Sequence, residues 1–243
     1  MRILIIGESC MDVFHYGECN RLTPEAPVPV FNSVDLVENG GMAMNVYHNL
    51  SSFVKNITIH TNKNWKTIKK TRFVDEKTNH MFLRLDENDS SYGNINLDEI
   101  NFSTFDAVVV SDYNKGYLSE GDLEKISKLH NKTFLDTKKV LGDWCKNFTF
   151  IKINGVEYNK TKHLIDDDMR KILIVTQGSK GCFYLDKKYE VPLVEVKDVS
   201  GAGDTFLSAF SYKFLLTESV DKSIEFANEC ATKVVQKRGV SVI

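Results

Sequence analysis

The sequence predicts an α/β fold: a mainly parallel central sheet with helices on both faces and a small β extension beside it. Three observations carry this expectation. Short apolar runs closed by glycine or polar residues, such as 3–6 before Gly7, read as buried strands. From residue 105 onward such runs alternate with helical stretches, the pattern of a parallel sheet with crossover helices. Residues 13–37 and parts of 69–86 break that alternation and read as extended chain.

In order along the chain, residues 3–6 are the first strand. Residues 13–37 carry Pro24, Pro27 and Pro29, which bar a central strand and favour an edge strand or extended loop. Gly40 and Gly41 break this stretch. Residues 42–53 follow as a helix, with Ala43, Val46, Tyr47 and Leu50 apolar. Residues 57–86 are strand-like, with cores at 73–74 and 81–83, and 87–96 is a polar turn. The apolar run 105–110 is a strand. Ser119 and Asp122 have the spacing of a helix cap, ahead of Leu123, Ile126 and Leu129 on one face. Residues 133–135, 148–153 and 172–175 are further strands, and 182–185 with 189–196 form a β pair. Two helices close the chain. Residues 205–216 are strongly apolar, and 220–235 place Val220, Ile224, Ala227, Cys230, Ala231 and Val234 along one stripe.

Composition narrows the function classes. The 243 residues are enough to bury a core without disulfides or metals. Hydrophobic residues make up 42% and charged residues 26%, which excludes disorder, collagen and coiled coil for the whole. No apolar run approaches the ~20 residues needed to cross a bilayer. The opening run is too short for a secretory signal, so a cytoplasmic location without membrane contact is expected. Net charge is −2, without the basic surplus of a nucleic-acid binder. The densest basic stretch, Lys63, Lys66, Lys69, Lys70, Arg72 and Lys77, reads as a solvated face. The five cysteines are widely spaced, without a Cys-x-x-Cys pair, and read as buried free thiols. The histidines form no His-x-x-x-His pair, so no transition-metal site is expected.

The strongest chemical signal is Asp198-Val-Ser-Gly201-Ala202-Gly203-Asp204, a glycine-rich turn leading straight into an apolar helix. Glycines let the backbone turn tightly and present successive N–H groups, and the helix N-terminus adds partial positive charge. The spot suits a phosphate. Asp204 would repel a static phosphate, but it makes sense as a general base beside a transferring group. The alternative is a glycine turn with an aspartate cap.

That segment resembles the C-terminal signature of the ribokinase-like (PfkB) carbohydrate kinases, and other segments agree in order. The resemblance implies a ribokinase-like three-layer sandwich with a mainly parallel central sheet and a small β lid. A single kinase domain would span 1–243, with the lid drawn from about 13–38 and 69–86. It implies ATP and Mg²⁺ as cofactors, Asp204 as catalytic base, and an anion hole from the N–H groups of Gly201, Ala202 and Gly203. Asn154-Gly155-Val156-Glu157 resembles the family's Asn-x-x-Glu element, with Asn154 and Glu157 placing Mg²⁺ partly through water. Thr176, Gly178 and Gly181 resemble the nucleotide-side loop, and Asn228 falls on the same side. Asp12, Gly40, Gly41 and Asn45 resemble the sugar-binding elements.

Within the family, Tyr16-Gly17, Arg21-Leu-Thr-Pro24-Glu25-Ala-Pro27-Val-Pro29-Val30, Arg84-Leu-Asp86, Ser111-Asp-Tyr-x-Lys115-Gly116, Asp136-x-Lys138 and Phe226-Ala-Asn228 resemble the bacterial heptose 7-phosphate kinases. Those form the kinase half of bifunctional ADP-heptose synthesis proteins. The resemblance implies a sugar phosphate substrate phosphorylated at its anomeric hydroxyl, for ADP-heptose and lipopolysaccharide or another surface polysaccharide. A separate adenylyltransferase would follow in the pathway. Arg21, Arg84, Lys115 and Lys138 are the candidates to hold the substrate's phosphate, and a homodimer is consistent with the β extension. Residues 53–71 and 157–171 are shorter than the family's segments, and Met42 and Met44 stand where small or polar residues are usual. Three alternatives stay open: a kinase of another sugar, sugar phosphate or nucleoside; a degenerate kinase fold that binds a sugar nucleotide or partner; and a dinucleotide-binding oxidoreductase. Gly7-Glu-Ser-Cys10 argues against the last, because it lacks the glycine-rich dinucleotide turn.

Overall fold

The computed structural model describes residues 1–243. The elements in order are β1 (Arg2–Gly7), β2 (Ser9–Leu22), β3 (Pro29–Met42), α1 (Ala43–Ser51), β4 (Asn56–His60), β5 (Lys69–Asp75), β6 (Met81–Glu87), β7 (Ala107–Asp112), α2 (Glu120–Leu129), β8 (Thr133–Thr137), β9 (Phe150–Asn154), α3 (Gly155–Thr161), α4 (Asp167–Ile172), β10 (Leu173–Thr176), β11 (Cys182–Tyr184), β12 (Lys187–Tyr189), α5 (Ala202–Thr217) and α6 (Val220–Val234).

Eight strands form one sheet in the order β12-β11-β10-β9-β8-β7-β1-β4. The six from β10 to β4 are parallel, and β11 and β12 add an antiparallel edge. Both faces are covered, so the parallel strands are apolar at successive positions rather than alternate ones. In β1, Leu4 and Ile6 enter one core with Val108, Val110, Leu135 and the α2 residues Leu123 and Ile126. Ile3 and Ile5 point the other way, into a core with Val109, Phe134, Val46 of α1, Phe206 and Phe210 of α5 and Ile224 of α6. The result is the predicted three-layer ribokinase-like sandwich.

A second sheet of four strands, order β3-β2-β5-β6, is the lid. Its registers give it two unlike faces. Asp12 lies across from Lys70, and Lys70 from Asp86; two residues along, Phe14, Arg72 and Arg84 make the next row of the same face. The opposite face carries Leu36, His15, Phe73 and Leu83 in one row. Leu36 and Leu83 there are 52% and 58% exposed, so the charged face of the lid is its inner one.

Several expectations need correction. Gly40 and Gly41 do not break the extended stretch; β3 runs through them to Met42. The turn into α1 falls on Met42, at φ 61°, a left-handed conformation costly for a residue with a side chain. Residues 190–196 are not strand. Beyond Tyr189 the partner chain is the tight turn at 178–181, and Pro192 has no N–H to give, so pairing stops. Residues 155–172 contain two short helices the periodicity does not announce, each started by a side-chain cap, Asn154 and Asp166. The basic stretch is not uniformly solvated. Lys70 is buried between Asp86 at 3.6 Å and Asp89 at 2.9 Å. The five cysteines are free and four are buried. No helix is long and apolar enough to cross a membrane.

Phe210 holds the α5 side of the core, edge-on to Phe134 and Phe150 and stacked with Phe206 and Phe214. Phe210→Ala is expected to cost about 3–5 kcal/mol, read as a lower urea midpoint with an unchanged m-value.

Candidate active site

The strand order reverses between β1 and β7: the chain grows to one side through β4 and to the other through β8, β9 and β10. In open parallel sheets such a switch point leaves a crevice at the carboxyl ends of the strands. Glu8 follows β1 there and Tyr113 follows β7. The buried Glu8 carboxylate accepts the backbone N–H of Tyr113 at 2.9 Å and of Lys115 at 3.0 Å. Burial, with the nearby Asp112 charge, raises the Glu8 pKa.

The glycine turn and α5 face this crevice. Gly201, at φ 79°, adopts the left-handed conformation just before the helix. A Cβ on Gly201 would stand 2.6 Å from Asn45 Nδ2, and one on Gly203 would stand 2.7 Å from Lys152 Nζ. A side chain at 201 is disfavoured by its left-handed φ as well as by Asn45, and one at 203 would displace the Lys152 ammonium. Asp204 lies in the first turn of α5, only 4% exposed. Its Oδ2 accepts from Asn45 Nδ2 at 2.9 Å and its Oδ1 from the Tyr113 hydroxyl at 3.0 Å. Burial lifts the Asp204 carboxyl to about 6; Asp136 pushes the same way, while Asn45, Lys152 and Tyr113 oppose it. Burial and the adjacent Asp204 raise the Tyr113 hydroxyl well above its ordinary value, so it stays protonated and donates. Asn45 is in turn held by Asn49, whose Oδ1 accepts from Thr205 of α5 at 3.0 Å.

Two lysines stand beside Asp204. Lys152 of β9 is paired across the sheet with Asp136 of β8, Nζ to Oδ2 at 2.7 Å, and both are buried. Lys138 lies 3.4 Å from Glu157 Oε1 and 5.5 Å above the Tyr113 ring. Burial works against its charge, but Asp136, Glu157 and Asp204 together hold the Lys138 pKa above the usual value.

A cavity of about 360 Å³ opens from Asp204 along the sheet edge. Asn154, Thr176, Gly178, Gly181, Gly201, Ala202, Gly203, Asn228 and Lys138 line it, so residues spread over 90 positions of sequence meet at one place. Its far wall is apolar, from Val191, Leu193, Val196, Val199, Ala231 and Val235. Asn228 also donates to the Tyr189 carbonyl, fixing the loop that carries this wall. Gly155, Val156 and Glu157 are not on the lining. Asn154 and Glu157 form a reciprocal capping box at the start of α3. That leaves Glu157 Oε1, near Lys138, as the carboxylate oxygen outside the cap. Asp136 Oδ1, buried on the cavity wall, has no partner. Magnesium keeps most of its waters and takes few protein oxygens, so this donor set fits such an ion without forming a cage for it.

The sugar-side candidates divide. Asn45 reaches the Asp204 carboxylate directly. Gly41 lies flat against the Asp12 carboxylate and leaves no room for a Cβ, and Gly40 packs on Met44. Asp12 pairs with Arg72 at 2.5 Å. On the same inner lid face Arg84 makes two bonds to Asp86, at 2.7 and 3.0 Å, and Lys115 reaches Asp89 at 2.7 Å. Arg21 lies apart, at the exposed end of β2. Sequence reasoning did not single out Lys70, Arg72, Lys152, Glu8 or the Tyr113 hydroxyl. Lys152 did leave a signal: it interrupts the apolar run Phe150-Ile151-Lys152-Ile153, where a charge is out of place in a buried strand.

Comparison with known proteins bears on the family and the fold. The model of the pfkB family carbohydrate kinases matches residues 148–242. The bifunctional protein HldE of Helicobacter pylori strain J99 is 30% identical over 98% of this chain and 63% of its own length. That of Campylobacter jejuni subsp. doylei is 28% identical over 98% of the chain and 62% of its own. The chain thus spans less than two thirds of the curated relatives it matches. The alignment with the first runs over 293 positions, so that relative carries segments this chain lacks. Among solved structures, the ribokinase of Thermotoga maritima superposes with a TM-score of 0.69 at 14% identity, covering 98% of this chain and 94% of that one. The Methanocaldococcus jannaschii nucleoside kinase superposes at 0.68 and 19%, covering 99% and 93%.

Removing the Tyr113 hydroxyl takes one donor from the Asp204 carboxylate. Tyr113→Phe is expected to raise the Asp204 pKa above its value of about 6, measured by carboxyl-carbon NMR titration. An unchanged or lower value contradicts the donor role.

Proposed function

We propose, for a chain that belongs to the pfkB family of carbohydrate kinases, phosphotransferases with an alcohol group as acceptor, that the acceptor is a heptose 7-phosphate and its anomeric hydroxyl the nucleophile. The observation that carries the transfer chemistry is the buried Asp204 carboxylate, raised to about 6, at the N-terminus of α5 and on the wall of the cavity. A base with a pKa near the working pH is ionised often enough to act and basic enough to accept a proton.

In this mechanism Asp204 takes the proton of the acceptor hydroxyl. The new O–P bond forms as the bond from the γ-phosphorus to the β,γ-bridging oxygen of ATP breaks, and ADP leaves. Asn45 and Tyr113 fix the plane of the Asp204 carboxylate, each on one oxygen. The N–H groups of Gly201 and Gly203 and the positive end of α5 would face the transferring charge, whereas the Ala202 N–H is taken by the Val199 carbonyl at 3.3 Å. Magnesium, where bound, neutralises phosphate charge, and Glu157 and Asn154 would hold it partly through water, with Asp136 Oδ1 a further oxygen within the cavity. The apolar wall at 191–199 suits a nucleotide base, and Thr176, Gly178, Gly181 and Asn228 flank it.

The inner lid face supports an acceptor that already carries a phosphate. Lys70, Arg72, Arg84 and Lys115 share only Asp12, Asp86 and Asp89 among them. Cations arranged in exchangeable pairs can transfer to a phosphate when the lid closes. The product would pass to an adenylyltransferase on the way to ADP-heptose, in the cytoplasm where ATP is available. The outer lid face, with Leu36, Leu83 and Leu85 each 46–58% exposed, supports a homodimer built on that face.

The test of function is ADP release with ATP, Mg²⁺ and a panel of sugars and sugar phosphates, run beside Asp204→Asn. The expected result is turnover with heptose 7-phosphate and a loss of about 10²–10⁴-fold in the variant. The acid limb of the rate profile should fall near pH 6, because protonated Asp204 cannot accept. Since the fold disfavours this ionised carboxylate, Asp204→Asn should also raise the melting temperature at pH 8. Turnover confined to another acceptor moves the substrate assignment; nucleotide binding with no turnover favours a non-catalytic binder. Leu36→Glu with Leu83→Glu should convert a dimer to a monomer by light scattering, and a wild-type monomer removes the dimer reading.

A further inference from the structure

The buried lysine of β9 has no role in the chemistry described so far. Lys152 is 4% exposed and sits between Ile151 and Ile153, which pack into the apolar core on the other side of the strand. Nothing in the packing of a parallel sheet calls for a charge there, and a buried ion pair is weak evidence for stability because both ions give up water. The pair is also incomplete. An ammonium has three protons, and Asp136 is the one hydrogen-bond partner of Lys152, at 2.7 Å. Asp136 Oδ1 is buried with no partner at all. Both side chains line the cavity that Asp204 faces.

The direction of Lys152 narrows its task. Its Nζ lies 2.7 Å from the point where a Cβ of residue 203 would stand, so the ammonium rests against the first turn of α5. Glycine at 203 makes that approach possible. The free N–H groups of the helix start and a buried cation with unused donors thus converge on one spot, the arrangement that stabilises developing negative charge in a water-poor site. Lys138, the other lysine on this wall, is engaged differently: it is 32% exposed at its side chain and faces Glu157 and the Tyr113 ring.

We propose that Lys152 is a catalytic residue that contacts the oxygens of the transferring phosphoryl group at the N-terminus of α5, and that Asp136 is the positioning residue that holds it there. This rests on the kinase reading. In phosphoryl transfer, charge spreads over the equatorial oxygens of the moving group, and a fixed cation beside them lowers the barrier more than it tightens ground-state binding.

The experiment compares wild type, Lys152→Met and Lys152→Arg in the full-length chain, with two readouts. The first is binding: melting temperature with MgADP, and with MgADP plus aluminium fluoride as a mimic of the phosphoryl group in flight. Wild type should gain further stabilisation from the fluoride. Lys152→Met should keep the MgADP response and lose the increment, and Lys152→Arg should recover part of it. The second is steady-state turnover with whichever acceptor wild type accepts: Lys152→Met should lose about 10²–10³-fold in kcat with the KM for ATP changed far less. An intact fluoride increment with wild-type kcat in Lys152→Met overturns the proposal. So does a joint loss of the MgADP and fluoride responses, which marks the lysine as a support of the pocket. Asp136→Asn, which keeps the shape of the side chain but removes the counter-charge that holds the ammonium, covers the case in which Lys152→Met fails to fold. It should lower kcat and weaken the fluoride increment, and wild-type kcat with a full increment in it refutes the positioning role. A wild type with no fluoride increment and no turnover on any acceptor overturns the kinase reading and this inference together; turnover in wild type and Lys152→Met alike overturns only the inference.

Discussion

Keeping a carboxylate out of water at the first turn of α5 is the constraint around which the rest of the site is arranged. Asp204 is 4% exposed, and an isolated buried carboxylate would simply stay protonated. Two donors from distant elements, Asn45 on α1 and Tyr113 after β7, and the buried cation Lys152 partly offset the cost. The carboxyl settles near 6, where both protonation states are within reach. Each of those groups makes its own demand. Asn45 and Lys152 need glycine at 201 and 203 to come close enough. Tyr113 needs its backbone tied to Glu8. Asn45 needs Asn49 and Thr205, which bind α1 to α5.

The sheet supplies the frame for these contacts. Because order reverses between β1 and β7, the residues just after those strands diverge and leave a crevice that α5 points into. The strands β8 and β9 bring Asp136 and Lys152 to the same edge through their parallel register. Asp204, its donor Asn45 and the Lys152–Asp136 pair are therefore set by helices and strands, with Tyr113 just beyond the end of β7, and such sites hold their geometry more tightly. The loop at 190–200, which carries the apolar wall, is the exception, and Leu193 in it is 91% exposed.

The lid follows a different logic. Its inner face carries ion pairs, Arg72 with Asp12, Arg84 with Asp86 and Lys70 with Asp89, and Asp89 is also met by Lys115 from the loop after β7. The three donors on Asp89, from Lys115, Tyr92 and Lys70, outweigh its partial burial and hold its carboxyl down at about 2. An apolar outer face and a charged inner face invert the usual plan of a sheet lying on a core. That inversion suits a sheet whose inner side meets a polar ligand and whose outer side meets another apolar surface.

Much of this was legible in the residues before any coordinates. Apolar runs at successive positions marked the parallel strands, because strands covered on both faces have no polar side. The Gly201–Asp204 turn ahead of an apolar helix marked the place where the cavity lies and the carboxylate proposed as base, because few local structures need glycines and a carboxylate in that order. The boundaries at Gly40, Gly41 and residues 190–196 were not legible. They depend on which strand lies alongside, β2 for the glycines and a turn rather than a strand for 190–196. Nor could spacing reveal that Lys70 is buried, that Arg72 meets Asp12, or that Lys152 and Tyr113 converge on Asp204 from 52 and 91 positions away. Local patterns record what a residue needs from its neighbours in the chain. The partners of a buried charge are chosen by register and crossover, and those exist only once the sheet has formed.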